Sequence, residues 1–275
     1  MSNIQIITDS TAYFTKEYAE RHNIKIVPLS VTFLGITADE GYPGEFDEFY
    51  HKLEASIDFP TTSQPSIEAF ASVYQEAIAQ GNEIITIVIS EKLSGTFNSA
   101  SIAANMIAPD KISVIDSEST SSNLKLLVNM AKDMAEKGES RAHIVNILEQ
   151  EKKRMSINLT VETLEYLKRG GRLSGAQALI GSLLNVKPII GLVDGKLIPV
   201  GKVRGKSKAL ELMISKLPNN ATHISVCHIF NIVEAELIQS KLQERFKHIK
   251  VGIDVLGPVI GSHLGPKGIG ICCKW

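Results

Sequence analysis

IITIVISEKLSGT, residues 84–96, sets a run of apolar residues interrupted only by Thr86 against a turn rich in hydroxyls and ending on Gly95. A strand buried on both faces reads this way, and burial on both faces is the mark of a parallel sheet covered by helices. The pattern repeats outward from it. Upstream, helical spacing over residues 67–79 closes at Gly81, a C-terminal cap. Downstream, residues 99–107 are helical, 112–115 form a strand, and 124–137 form a helix ended by Gly138. Residues 4–7 (IQII) are a first strand closed by Thr8-Asp9-Ser10-Thr11, and a short helix over 16–21 precedes an extended run over 24–33. Phe46, Phe49, Tyr50 and Leu53 recur at helical spacing, and residues 140–154 read as a charged amphipathic helix. Strands alternating with helices predict a doubly wound, mainly parallel α/β domain over residues 1–156.

Residues 157–275 change character. Glycines at 170, 171, 175, 181, 191, 195, 201 and 205 separate short β-like runs such as 186–193 and 197–203. A helix over 206–216, a strand over 224–229, a helix over 233–246 and strand-like runs at 251–256 and 270–273 follow, which predicts an α+β domain. No flexible linker marks the boundary, and no fixed-period repeat is visible.

Composition narrows the function. The 275 residues carry 29 Lys plus Arg against 30 Asp plus Glu, a net charge of -1, so no global field draws the chain to nucleic acid. No apolar run reaches the ~18 residues of a membrane span, and no basic, then hydrophobic leader opens the chain, so the expected location is the cytoplasm. Three cysteines form no disulfide framework. There is no GxxxxGK[ST] phosphate loop, no GxGxxG after the first strand, no GxSxG elbow, no HExxH and no paired CxxC, so neither a nucleotide cofactor nor a metal is expected.

What remains is hydroxyls in loops. In open parallel sheets ligands sit beyond the carboxyl ends of strands. Loops 8–11, 90–96 and 116–119 occupy such positions, and Thr61-Thr62-Ser63-Gln64-Pro65-Ser66 precedes a helix. Hydroxyls beside free backbone N–H groups suit an anionic oxygen such as a carboxylate, and Gly95 lets a ligand approach the backbone. Each loop taken alone is also a helix cap, since Ser, Thr and Asp are the preferred N-cap residues. Two further stretches carry chemistry-bearing side chains. LEYLKRGGRLSG at 164–175 holds Lys168, Arg169 and Arg172 on a Gly-hinged turn, and GPVIGSHLGPKGIG at 257–270 holds His263 in a loop with unusual backbone freedom. Lys202 and Arg204, in GKVRGK, make a second basic cluster. The apolar run 178–186 reads as the lining of a tunnel or as ordinary core.

ITDSTA at 7–12, TTSQPS at 61–66, SGT at 94–96, LEYLKRGGRLSG and GPVIGSHLGP together resemble the DegV family of bacterial fatty-acid-binding proteins, in order and over nearly the whole chain. The stretch 35–47 agrees weakly with the family pattern. The resemblance implies a carrier that holds one long-chain fatty acid, such as palmitate, between its two domains. It assigns the carboxylate to Thr62 and Ser94, with Thr61, Ser63 and Gly95 adjacent and His263 nearby. It implies a separate fatty-acid kinase as partner, met at a face formed by Arg172, Lys202 and Arg204. It also implies a monomer with only transient membrane contact, no catalytic residues and no cofactor. The rival reading is a serine-dependent lipid ester hydrolase with Ser94 as nucleophile and His263 as base.

Overall fold

The computed structural model describes residues 3–172 and 186–275. The first half runs β1 (Ile4–Asp9), α1 (Lys16–Arg21), β2 (Lys25–Val27), β3 (Ser30–Phe33), β4 (Ile36–Asp39), α2 (Asp47–Ala55), β5 (Thr61–Ser63), α3 (Ile67–Ala79), β6 (Glu83–Val88), α4 (Thr96–Ile107), β7 (Ile112–Asp116), α5 (Ser121–Glu136) and α6 (Arg141–Glu151). The second half runs β8 (Met155–Thr160), α7 (Glu165–Arg169), β9 (Val186–Val193), β10 (Lys196–Arg204), α8 (Lys206–Ser215), β11 (His223–His228), α9 (Ile232–Arg245), β12 (Gly252–Val255), α10 (Pro258–Leu264) and β13 (Ile269–Lys274).

Among the described residues, four parallel strands form one sheet in the order β2-β1-β6-β7. Alternate residues of β1 and β6 face opposite sides, as a strand's period of two requires. Ile6, Ile85 and Ile87 pack with Leu124, Leu127 and Val128 of α5, while Ile7, Ile84 and Val88 pack with Phe70 and Tyr74 of α3 and Ala100 and Ala103 of α4. Both faces are therefore covered, the doubly wound arrangement that the 84–89 run predicts. Each of these isoleucines is fully or almost fully buried, and burying such a side chain stabilises the fold by about 1.5–3 kcal/mol. The caps also follow the sequence: Ser66 Oγ accepts from Ala69 N at 3.1 Å, and Gly81 and Gly138 take φ of 82° and 80° past their helices.

The second sheet has the order β10-β9-β8-β13-β11-β12, antiparallel except for the β11–β12 pair. Helices α8 and α9 cover one face through Met213, Ala235, Ile238 and Leu242. Its other face packs towards the first half, where Ile157, Leu159, Ile190, Leu192 and Leu197 join Leu29, Val31, Phe46 and Tyr50 in one apolar cluster. Among the described residues no helix is long and apolar enough to cross a membrane.

Four expectations are corrected. The run 24–33 is not one strand: β2 belongs to the parallel sheet and β3 to a small antiparallel sheet of order β4-β3-β5. Pro28, which has no N–H to donate, separates them. Helix α6 stops at Glu151, and Lys152–Arg154 tighten into a 3-10 turn. The TTS of 61–66 is strand β5 rather than a loop before a helix. His263 rides on helix α10, not on an irregular Gly-rich loop. Of the apolar run 178–186, all but Val186 lies outside the described residues, as do the last three residues of the 164–175 motif.

Candidate functional site

Strand β5 pairs with β3 in the register Val31↔Thr62. Its alternation leaves Thr61 and Ser63 exposed and turns Thr62 inward, half-buried. Thr62 Oγ1 lies 2.8 Å from His263 Nε2. His263 reaches this position because α10 is fixed at its start, where Val259 N donates to Glu40 Oε1 at 2.8 Å, and at its middle, where Gly261 lies against the Tyr50 ring. The glycine at 170 is needed as well, since a Cβ there would collide with His263 Nδ1. That nitrogen is buried and has no hydrogen-bond partner among the described residues. Burial, aided by the positive charge of Arg172, pushes His263 down to about 4, so the ring is neutral near pH 7.

Ser94 comes from the turn after β6. Leu93 N and Ser94 N both donate to Ser90 O, at 3.0 and 3.1 Å, which tightens the turn before α4. Ser94 Oγ pairs with Thr96 Oγ1 at 2.9 Å. The N-cap of the 12-residue α4 is Gly95, which has no side chain to bond the first turn, and this leaves N–H groups and the positive end of the helix dipole at this corner. Gly95 lets the turn lie against the Gln64 side chain, where a Cβ would come within 2.6 Å of Nε2. Arg172 closes the corner. Its Nε donates to Leu93 O at 3.1 Å and its Nη1 to Gly170 O at 2.6 Å, and partial burial lowers the guanidinium from its usual range.

Thr62, Ser94, Arg172 and His263 line one cavity, part of it open to solvent. Among the described residues the rest of its lining is apolar except for Thr120: Leu29, Ile89, Leu93, Ile157, Leu159, Leu192, Leu197, Val259, Ile260 and Leu264. The cavity thus lies between the first half and the second sheet, and its polar groups are few and convergent, as in small-molecule sites generally. Such a chamber suits an apolar chain with one anionic end. Ester hydrolysis is not favoured by this geometry, because His263 pairs with Thr62 while Ser94 pairs with Thr96, so serine and histidine are not joined as nucleophile and base.

The remaining candidates fall elsewhere. Lys202 and Arg204 are exposed on β10, an edge strand, beyond the Leu197 that lines the cavity. The loop after β1 is absorbed by the fold. Asp9 Oδ1 accepts from Thr11 N and Thr11 Oγ1 at 2.9 and 2.6 Å, and Oδ2 accepts from Ile89 N at 2.6 Å. Burial raises Asp9 to about 6 all the same. Sequence reasoning passed over Glu40, inside the weakly agreeing 35–47 stretch. Its buried carboxylate accepts from Ser10 Oγ at 2.6 Å, Val259 N at 2.8 Å and Tyr13 OH at 3.4 Å, and burial with the neighbouring Asp9 lifts it to about 7. A lone acid beside Gly41 carries no signal of this.

Comparison with known proteins places this geometry in a known setting. A model of the DegV family matches residues 3–274. Protein DegV of Bacillus subtilis is 35% identical over 276 residues, covering 98% of each chain. The crystal structure of DegV, a fatty acid binding protein from Bacillus subtilis, matches with a TM-score of 0.86 at 35% identity over 100% of both chains. A fatty-acid-binding DegV family protein from Thermus thermophilus matches with a TM-score of 0.86 at 32% identity over 99% of each chain. A stearic-acid-binding protein from Eubacterium ventriosum matches with a TM-score of 0.89 at 31% identity, covering 100% of this chain and 98% of its own.

Proposed function

The chain belongs to the DegV family, and from that premise we propose that it is a carrier of one long-chain fatty acid, such as palmitate, and not an enzyme. The observation that carries this reading is the apolar cavity whose convergent polar groups are Thr62, Ser94, Arg172 and His263. Residues 1–156 supply the hydroxyls with Leu29, Ile89 and Leu93, and residues 157–275 supply His263, Arg172 and the rest of the apolar wall. With His263 neutral, an Nε2–H donated to Thr62 Oγ1 leaves the Thr62 proton free for a carboxylate oxygen, and Ser94 donates to the other. Thr61 and Ser63 flank Thr62 on strand β5, and Gly95 follows Ser94 in the turn before α4, so all three stand next to this pair. Fatty-acid binding by the relatives from Bacillus subtilis, Thermus thermophilus and Eubacterium ventriosum supports the assignment.

The energetics agree. A sixteen-carbon acid buries about fifteen methylene and methyl groups, a gross gain of about 12 kcal/mol at ~0.8 kcal/mol each. Association and ordering costs offset part of it. A carboxylate buried without donors would lose several kcal/mol, which is why hydroxyls must stand at the polar end. On this reading the bound acid is presented to a separate fatty-acid kinase. Arg172 beside the head group, with Lys202 and Arg204 along the exposed strand, forms the cationic face that meets it and steadies phosphoryl charge. The chain acts as a monomer in the cytoplasm and touches membranes only transiently. Protein purified from a bacterial host is expected to release a fatty acid on solvent extraction, identified by mass spectrometry. An empty protein that also refuses added palmitate would overturn the carrier reading.

A further inference from the structure

We propose that the cavity is built for acyl chains bearing a hydroxyl group, recognised by Thr120 with Asn123 behind it; this rests on the carrier reading and names its ligand class. Thr120 lines the cavity and is only 8% exposed, yet its Oγ1 has no hydrogen-bond partner among the described residues. It stands at the N-cap position of the 16-residue α5, where a threonine hydroxyl ordinarily accepts from the first turn, but it makes no such bond. Ser121, the next residue, has φ of 56°, a left-handed conformation that few serines adopt. The loop before the helix is pinned as well, by Ser117 Oγ donating to Ser119 O at 3.0 Å and by Ser90 N donating to Ser119 O at 2.9 Å.

Asn123 repeats the pattern one turn on, on the same helix face. It is fully buried, its Nδ2 donates to Ser156 O at 3.1 Å, and its Oδ1 has no partner among the described residues. Ser156 precedes Ile157, which lines the cavity with Thr120. Two polar atoms are thus left unpaired on one helix face, and of the two residues Thr120 lines the cavity. A valine at 120 would fill the same shape without an orphan hydroxyl. A saturated chain leaves the Thr120 hydroxyl unsatisfied, whereas a chain-borne hydroxyl can pair with it. Site groups that bond a ligand hydroxyl discriminate against the analogue that lacks it.

The test is displacement of a fluorescent fatty acid by stearate and by 3-, 10- and 12-hydroxystearate, with wild type, Thr120→Val and Thr120→Ser, and thermal melting as a check on folding. A hydroxyl buried against apolar wall alone would weaken binding on the order of tenfold or more. The expected result is that at least one positional isomer binds wild type as tightly as stearate or better. Thr120→Val is expected to lose that isomer by about tenfold relative to stearate, and Thr120→Ser to keep it. If every isomer binds wild type at least tenfold more weakly than stearate, the inference is overturned whether or not the valine variant folds. If Thr120→Val weakens stearate as much as the hydroxy acids, Thr120 serves the head group or the fold, and the inference falls while the carrier reading stands. If wild type binds none of the acids, the carrier reading falls and takes the inference with it.

Discussion

Two polar clusters, one reached by Val259 and the other by His263 of helix α10, both include side-chain hydroxyls, yet they are built to opposite ends. Around Asp9 and Glu40 each carboxylate oxygen accepts at least one hydrogen bond from the fold. Around Thr62, Ser94 and His263 the hydroxyls pair only locally, one histidine nitrogen is unpaired, and the start of α4 is uncapped. Hydroxyl-rich loops mark both clusters equally in the sequence. What separates them is hydrogen-bond accounting: every carboxylate oxygen of the first cluster is engaged by the fold, and the second has capacity turned towards an apolar cavity. The first should therefore be worth stability and the second affinity.

The largest effect should come from breaking the saturated cluster. Asp9→Ala strips the acceptor from the buried N–H groups of Ile89 and Thr11 and from the Thr11 hydroxyl. Orphan donors cost about 1–3 kcal/mol each, so a loss of about 3–5 kcal/mol is expected in chemical denaturation, with acid binding by the folded fraction retained. The open cluster should respond the other way round. Thr62→Ala or Ser94→Ala is expected to weaken palmitate by about ten- to a hundredfold, a charge-assisted bond of roughly 1.5–3 kcal/mol, with stability shifting by less than about 1 kcal/mol. Displacement titrations beside melting curves separate the two. Equal losses of stability and affinity in both clusters would erase the distinction.

The parts of this arrangement that were legible in the sequence are those with a period. Residues 84–89 and 112–115 announce a parallel sheet because both faces are buried, and a strand with no polar face has no alternation to hide. Strands β4 and β5 escape detection for the converse reason. Every residue of β4 is exposed, and β5 is three hydroxyl residues long, with only Thr62 turned in. Helix α10 is disguised by its glycines, which lower helix propensity but are required by packing: Gly257 lies against Glu40, Tyr13 and Phe46, and Gly261 against Tyr50. The same contacts explain why Glu40 was invisible, since its partners are all distant in the chain: Ser10 is 30 positions away, Tyr13 27 and Val259 219.

Glu40 also gives the comparison a pH axis. Its carboxyl is raised from 4.5 to about 7 in the folded chain. The folded state therefore binds the extra proton between these values, so Glu40's contribution is full below about 4.5 and is lost as pH rises through 7. Asp9, raised from 3.8 to about 6, slopes the same way. Glu40→Gln keeps an acceptor for Val259 N and removes the titration. Stability measured at pH 5 and pH 8 should shift in favour of the variant by about 2 kcal/mol on going to the higher pH. A wild-type profile no steeper than the variant's would mean that Glu40 titrates alike in the folded and unfolded chain.

The smallest effect is expected at His263, and its smallness is the point. A histidine that gained a proton on binding the acid would make affinity rise as pH falls, by up to tenfold per unit below its titration in the complex. Burial and Arg172 hold the free ring at about 4, and Nε2 is paired with Thr62. Palmitate affinity should then change by less than about twofold between pH 6.5 and 8, read by displacement at constant ionic strength. His263→Gln, which keeps an N–H for Thr62 Oγ1, should cost a few-fold at most, and His263→Phe, which removes it, about tenfold. A tenfold gain in affinity over that pH interval, abolished in His263→Gln, would show a charged imidazolium in the complex. Thr62 would then donate to the acid without help from a neutral ring, and the open cluster would owe part of its affinity to charge rather than to spare hydrogen bonds.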